Sequence, residues 1–190
     1  GVRLSHIDLG GGIGIRYRDE KQAPIADFVA GALGALGARR QMLILDPGRA
    51  IVGDAGLLLT RIEYVKPGEA KNFIVVDAAM NDLIRPALYD AWHEVKPVRE
   101  MELHSATGVY DVVGPVCESA DFLARDRRLA PHPGDLLAIM SAGAYGMVMS
   151  SNYNSRPRPA EVMVQGTDAR LVRERERVEQ LFALETVPQW

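Results

Sequence analysis

Cys117-Glu118 is the pair of neighbours in this sequence best suited to moving a proton, a thiol directly beside a carboxylate, and Cys117 is the chain's single cysteine. A thiol can release a proton near neutral pH and regain it easily. Its ordinary alternative is a small buried hydrophobe. Four other groupings could bind or react. Gly10-Gly11-Gly12 lacks the Cβ atoms that keep backbone amides away from a phosphate, although a tight turn needs the same residues. Asp46-Pro47-Gly48-Arg49 carries a guanidinium out of a turn. Arg85 and Tyr89, four apart, could present a cation and a hydroxyl to an acid group from one turn of helix. Gly143-Ala144-Tyr145-Gly146 flanks an aromatic with glycines, which thrusts it out of a bend; a partly buried core tyrosine and surface arginines are the competing readings. His6, His93, His104 and His132 have no metal-ligand spacing and there is no thiolate cluster, so no metal site is expected.

The elements that must carry these groups can be read from periodicity. Residues 5–9 read as a short buried strand running into the glycines. Phe28, Val29, Ala32, Leu33 and Leu36 recur at helical spacing, which predicts a helix over 25–41 that Gly31, Gly34 and Gly37 weaken. Residues 42–45 are an apolar run ending at Asp46. Strand, helix, strand is the grammar of a parallel βαβ unit. Beyond Arg49 the β-prone runs at 57–65, 72–77, 100–104, 107–113 and 135–140 are separated by Gly/Pro turns, so a mostly antiparallel region is expected. Thr107 to Val113 alternates as a half-buried strand and ends at Gly114-Pro115, which places Cys117 at a strand's exit. Ser151 to Pro159 is an irregular polar stretch that could cover a site. Leu171, Val178 and Phe182, with Arg175 and Glu179 at i,i+4 spacing, predict a surface helix over 169–185.

Composition narrows the function. The chain has 190 residues, 47% hydrophobic and 25% charged, enough to bury a core in one or two domains. A net charge of -3 argues against a nucleic-acid partner. A lone cysteine cannot form an internal disulfide, which suits a reducing, cytoplasmic setting. No apolar run approaches the ~20 residues of a membrane span, and no export signal is expected.

Taken in order, Gly10-Gly-Gly, Asp46-Pro-Gly-Arg, Asn81-Asp-Leu-Ile-Arg-Pro-Ala-Leu-Tyr, Gly114-Pro-Val-Cys-Glu-Ser-Ala-Asp and Gly143-Ala-Tyr-Gly with Ser151-Asn-Tyr-Asn-Ser-Arg-Pro resemble the C-terminal half of the diaminopimelate decarboxylase family. That family is one of the ornithine, diaminopimelate and arginine decarboxylases of fold type III. The resemblance implies an α/β plus β fold. Residues 1–50 would be the last βα units of an alanine-racemase-like TIM barrel, and residues 51–190 a mostly antiparallel C-terminal β-domain with a terminal helix. It implies a carboxy-lyase dependent on pyridoxal 5'-phosphate that converts meso-2,6-diaminopimelate to L-lysine and CO2 in lysine biosynthesis, working as a homodimer with shared active sites.

Residue by residue, the resemblance assigns Gly10, Gly11, Gly12, Asp46, Pro47, Gly48 and Arg49 to the cofactor, and Tyr145 to cofactor and substrate together. Arg49, Arg85 and Tyr89 would meet the carboxylate that is retained. Cys117 would be the proton donor and Glu118 the ligand of the distal ammonium, both reaching in from the partner subunit. Two departures stand out. Asp46 replaces the family's usual Glu, and the lysine that holds the cofactor would lie upstream of residue 1, so the chain alone is expected to be inactive without an N-terminal barrel half. Lys21, Lys66, Lys71 and Lys96 fall in none of the motifs. A non-catalytic binding or regulatory fragment, or a decarboxylase of ornithine, arginine or carboxynorspermidine, remains the alternative.

Overall fold

The computed structural model of the chain describes residues 3–38, 40–99 and 107–190. The expected run at 100–104 and His104 lie outside them. Near the N-terminus, strand β1 (His6–Asp8) pairs in parallel with β2 (Met42–Ile44), and helix α1 (Ile25–Leu36) connects them, the expected βαβ unit. The helix is shorter than the periodicity predicts. Gly37, at φ 63, takes a backbone conformation that residues with a Cβ rarely adopt, and its N–H donates to the Leu33 carbonyl, so the chain leaves the helix at Leu36 and never reaches Gln41.

After β2, a short helix α2 (Gly48–Val52) and a 3-10 turn (Gly53–Ala55) lead into β3 (Leu58–Lys66) and β4 (Asn72–Val76), followed by helix α3 (Arg85–Tyr89) and strands β5 (Val95–Pro97), β6 (Gly108–Val113), β7 (Phe122–Leu129) and β8 (Leu136–Ile139). These form a six-stranded sheet in the order β5-β8-β3-β4-β6-β7, antiparallel except for β4 beside β6. Inward side chains from alternate positions, with Leu83 and Ala78 from the connections, build the core: Ile62, Ile74, Val76, Val112, Leu123, Leu137 and Ile139 are almost fully buried. Each such aliphatic side chain contributes about 1.5–3 kcal/mol by leaving water. In β6 the alternation breaks at a register shift, so that Asp111 and Val112 are buried in succession. The Asp111 carboxylate is offset there by Lys71 Nζ at 2.9 Å and the Asp126 amide at 2.8 Å.

β8 and β4 are each antiparallel to the strand between them, and β6 is parallel to β4, so β4, β6 and β8 all run the same way and release their following loops at one edge of the sheet.

The C-terminal segment differs from expectation. In place of a helix over 169–185, β9 (Glu161–Gln165) folds back on β10 (Asp168–Arg173), and only α4 (Val178–Leu181) is helical. Gly166, at φ 60, makes the reversal possible. Charges of this stretch bond to residues outside it: Arg173 Nε donates to Glu161 across the hairpin, and Glu176 accepts from Arg158 Nη1 at 2.9 Å and Asn152 Nδ2 at 2.6 Å. No helix among the described residues is long and apolar enough to cross a membrane.

Candidate active site

The glycines past β1 and the turn past β2 meet. Asp46 N–H donates to the Gly10 carbonyl at 3.1 Å, and Gly10 N–H donates to Asp8 Oδ1 at 2.8 Å. Gly11 lies so close to this turn that a Cβ on it would sit 2.7 Å from the Asp46 carbonyl oxygen. Gly10 and Gly12 hold φ of 70 and 79, and a Cβ on Gly12 would project into open space. The space is a hollow of about 280 Å³ lined by Gly11, Gly12, Ile13, Asp46, Pro47, Gly48, Arg49 and Tyr145. A phosphorylated ring fits such a cradle: bare glycine backbone on one wall, the Arg49 cation on another, and the Asp46 carboxylate as the one acidic group.

Tyr145 arrives from the exit of β8. It adopts φ 63, a left-handed conformation for a bulky residue, between two close approaches of glycine backbone. Ala142 N–H donates to the Gly56 carbonyl at 2.8 Å and Gly143 N–H to the Gly53 carbonyl at 3.1 Å, and a Cβ on Gly143 would overlap the Val52 carbonyl. The bend sets the ring between two arginines: Arg49 Cζ is 5.6 Å and Arg85 Cζ 5.9 Å from its centroid, within cation–π range.

Arg85 opens α3, with Pro86 behind it, and is 7% exposed. Its Nη1 donates to the Tyr17 hydroxyl at 2.9 Å and to His93 Nε2 at 3.0 Å, and its Cζ stands 4.9 Å from the Tyr17 ring centroid. Sequence reasoning missed both partners. Tyr17 sits in the polar run Arg16 to Lys21, which has no periodicity, and His93 is one of four histidines without ligand spacing. Burial holds the His93 imidazole below its usual pKa, with the Arg85 and Arg127 charges acting in the same sense against the Met140 carbonyl. Tyr89, at the other end of α3, is exposed, so the four-residue spacing does not bring it to the same buried corner as Arg85.

Cys117 and Glu118 lie on the loop between β6 and β7, and both are exposed. The buried side chain of Asp121 holds this loop: Oδ2 accepts the Val116 amide at 2.7 Å, and Oδ1 accepts the Met80 amide at 2.7 Å from the exit of β4. Burial pushes the Asp121 carboxyl above its usual range, against the pull of those two amides. Asp121→Asn keeps the shape but replaces one acceptor oxygen with a donor, which leaves an amide unpaired. It is expected to destabilise the fold by about 1–3 kcal/mol in a urea melt.

The irregular stretch after Ser150 is fastened to the same place, since Arg156 Nε donates to Asn81 Oδ1 at 2.9 Å and Ser151 N–H to the Asn81 carbonyl at 2.9 Å. Its Tyr153 hydroxyl stands 3.4 Å from Glu118 Oε2. Arg85, the Cys117 loop and Tyr145 thus follow β4, β6 and β8, the three strands that end at one edge. Among the described residues no hydrogen bond or ring contact joins Cys117 or Glu118 to the glycine hollow, and no cluster of three His, Cys, Asp or Glu could hold a metal.

Comparison with known proteins places this arrangement. Residues 17–143 match the model of the pyridoxal-dependent decarboxylase C-terminal sheet domain. Diaminopimelate decarboxylase of Pseudomonas fluorescens is 56% identical over 187 residues, 98% of this chain and 44% of that protein. The crystal structure of diaminopimelate decarboxylase from Helicobacter pylori in complex with L-lysine superposes with a TM-score of 0.86 at 42% identity, over 93% of this chain and 43% of that one. That of AQ1208 from Aquifex aeolicus gives 0.90 at 42% identity, over 97% and 46%. The chain therefore spans less than half the length of the curated relatives it matches. On this combination of sequence match and superposed fold, the chain belongs to the pyridoxal-dependent decarboxylase family and carries its C-terminal sheet domain.

Proposed function

We propose that this chain supplies part of the active site of a diaminopimelate decarboxylase, which releases CO2 from meso-2,6-diaminopimelate to leave L-lysine. The observation that carries the reading is the pair of cations, Arg49 and Arg85, set against one tyrosine ring beside a glycine-walled hollow. Residues 1–50 belong, on this reading, to the end of an alanine-racemase-like barrel, and residues 51–190 to the β-domain.

Pyridoxal 5'-phosphate, when bound, supplies an electron sink for the pair released from the α-carbon. Gly10, Gly11 and Gly12, with the backbone around Asp46 to Arg49, would hold its phosphate. Arg49 and Arg85 receive the carboxylate that is retained. Tyr145 covers cofactor and substrate. Tyr89, exposed at the far end of α3, would add its hydroxyl to that carboxylate.

The remaining chemistry belongs to the loop past β6. Cys117 Sγ delivers the proton that replaces the lost carboxyl group, and Glu118, steadied by Tyr153, holds the distal ammonium. Among the described residues this loop and the hollow share no hydrogen bond or ring contact in one copy, which supports a homodimer in which each copy completes the other's site. The cofactor's lysine comes from a barrel half beyond this chain, in a cytoplasmic enzyme.

Expressed together with a lysine-bearing barrel half, the chain should release CO2 from meso-diaminopimelate in a manometric or coupled assay. Release from ornithine or arginine in its stead would reassign the substrate, and no release from any of them would leave a non-catalytic role.

A further inference from the structure

His93 is fully buried, makes two polar contacts with its ring, and touches a residue that the proposed function needs. Its Nδ1 is 2.9 Å from the Met140 carbonyl and its Nε2 is 3.0 Å from Arg85 Nη1. A carbonyl oxygen cannot donate and a guanidinium cannot accept. The ring must therefore carry its hydrogen on Nδ1 and offer a bare lone pair at Nε2. An imidazolium would put N–H against N–H, so the neutral ring is the only form both neighbours accept.

The surroundings reinforce this. The Tyr17 ring meets the imidazole edge-on with centroids 5.3 Å apart, while Arg127 Nη2 donates to the His93 carbonyl at 3.0 Å and its guanidinium stacks 4.6 Å from the Trp92 ring. The guanidinium of Arg85 thus has both hydrogens of Nη1 committed, one to Tyr17 and one to His93, and its Cζ is 5.9 Å from the Tyr145 ring centroid. A long flexible cation has been made into a rigid receptor.

We propose that His93 is a positioning residue: as a fixed neutral acceptor braced on the Met140 carbonyl, it aims the Arg85 guanidinium at the substrate's retained carboxylate. The carboxylate role of Arg85 rests on the function proposed above; the brace itself does not.

Two substitutions separate aiming from folding. In His93→Asn the amide nitrogen can replace Nδ1 and keep the Met140 contact, but nothing reaches Arg85. In His93→Gln the amide oxygen can replace Nε2 as the acceptor for Arg85, and the Met140 contact is lost. In the complete, cofactor-loaded protein, His93→Asn should weaken binding of L-lysine and raise the KM for meso-diaminopimelate, each by about tenfold or more, as expected for a lost hydrogen bond to a charged group. The kcat should change far less. Binding of 1,5-diaminopentane, the same chain without its carboxyl group, should be unchanged. His93→Gln should restore L-lysine binding while melting lower than wild type.

Equal L-lysine binding by the two variants, or wild-type binding by His93→Asn, would overturn the proposal. Nitrogen-15 spectra of histidine-labelled protein give a readout free of activity: the signal lost in either variant should come from a ring protonated at Nδ1, and an Nε2-protonated ring sinks the inference. A wild-type protein that leaves meso-diaminopimelate untouched counts against the functional reading instead, and the nitrogen signals, which need no substrate, then decide on His93 alone.

Discussion

Cys117→Ala in the complete, cofactor-loaded protein is expected to lower turnover by about 10²-fold to 10⁴-fold, the range that a positioned proton donor contributes, with little change in KM. The expectation rests on where the thiol stands. Cys117 is exposed on the loop past β6, so its truncation removes no core packing and should shift stability by no more than about 0.5 kcal/mol. The loop's shape comes from Asp121 and its two amide contacts, which the substitution leaves alone. Loss of rate without loss of fold is therefore the signature. Cys117→Ser should recover only part of the rate, because a hydroxyl is a much weaker acid than a thiol at the same position. Steady-state kinetics beside a urea melt read both quantities, and an unchanged kcat in Cys117→Ala would remove the thiol from the reaction.

Gly143→Ala should cost the fold about 1–3 kcal/mol or more, the usual penalty for forcing extra volume into a packed contact, and should also reduce cofactor retention. A Cβ at this position would collide with the Val52 carbonyl and stand 2.8 Å from the Gly56 amide nitrogen. None of these is the free end of a side chain that could swing away. The backbone has to move, and the part that moves carries Tyr145 away from Arg49 and Arg85. Gly56→Ala meets the same junction from the other side, since its Cβ would lie 2.6 Å from the Gly143 Cα. Because the two substitutions strain one contact, their costs should fall short of additive in a double-mutant cycle. Wild-type stability in Gly143→Ala would mean that the segments can part without loss.

The elements that sequence made legible are those with a strong local signal. β3, β4, β6 and β8 follow β-prone runs bounded by Gly/Pro turns, and the turn Asp46 to Arg49 follows the apolar run of β2. The hairpin of β9 and β10 was hidden because Arg and Glu at helical spacing mimic a solvated helix, while the decisive residue, Gly166, is one glycine among 18. The glycines that wall the hollow announce themselves by their local composition. Residues that act only through distant packing do not. Tyr17 and His93 reach Arg85 across 68 and 8 residues of chain, and nothing near either one in sequence signals the contact. Tyr89 shows the converse: its spacing from Arg85 suits a shared face, yet five residues of α3 bury one side chain and expose the other.

The meeting of Arg49 with Tyr145 also sets the order in which this corner assembles during synthesis. The arginine leaves the ribosome before the six-stranded sheet has begun, and its aromatic partner only after β8, the last strand of that sheet. A contact between such remote segments cannot form until the intervening chain has condensed and its closure entropy has been met. A nascent polypeptide therefore acquires the corner where two cations face one ring only once the entire sheet is available.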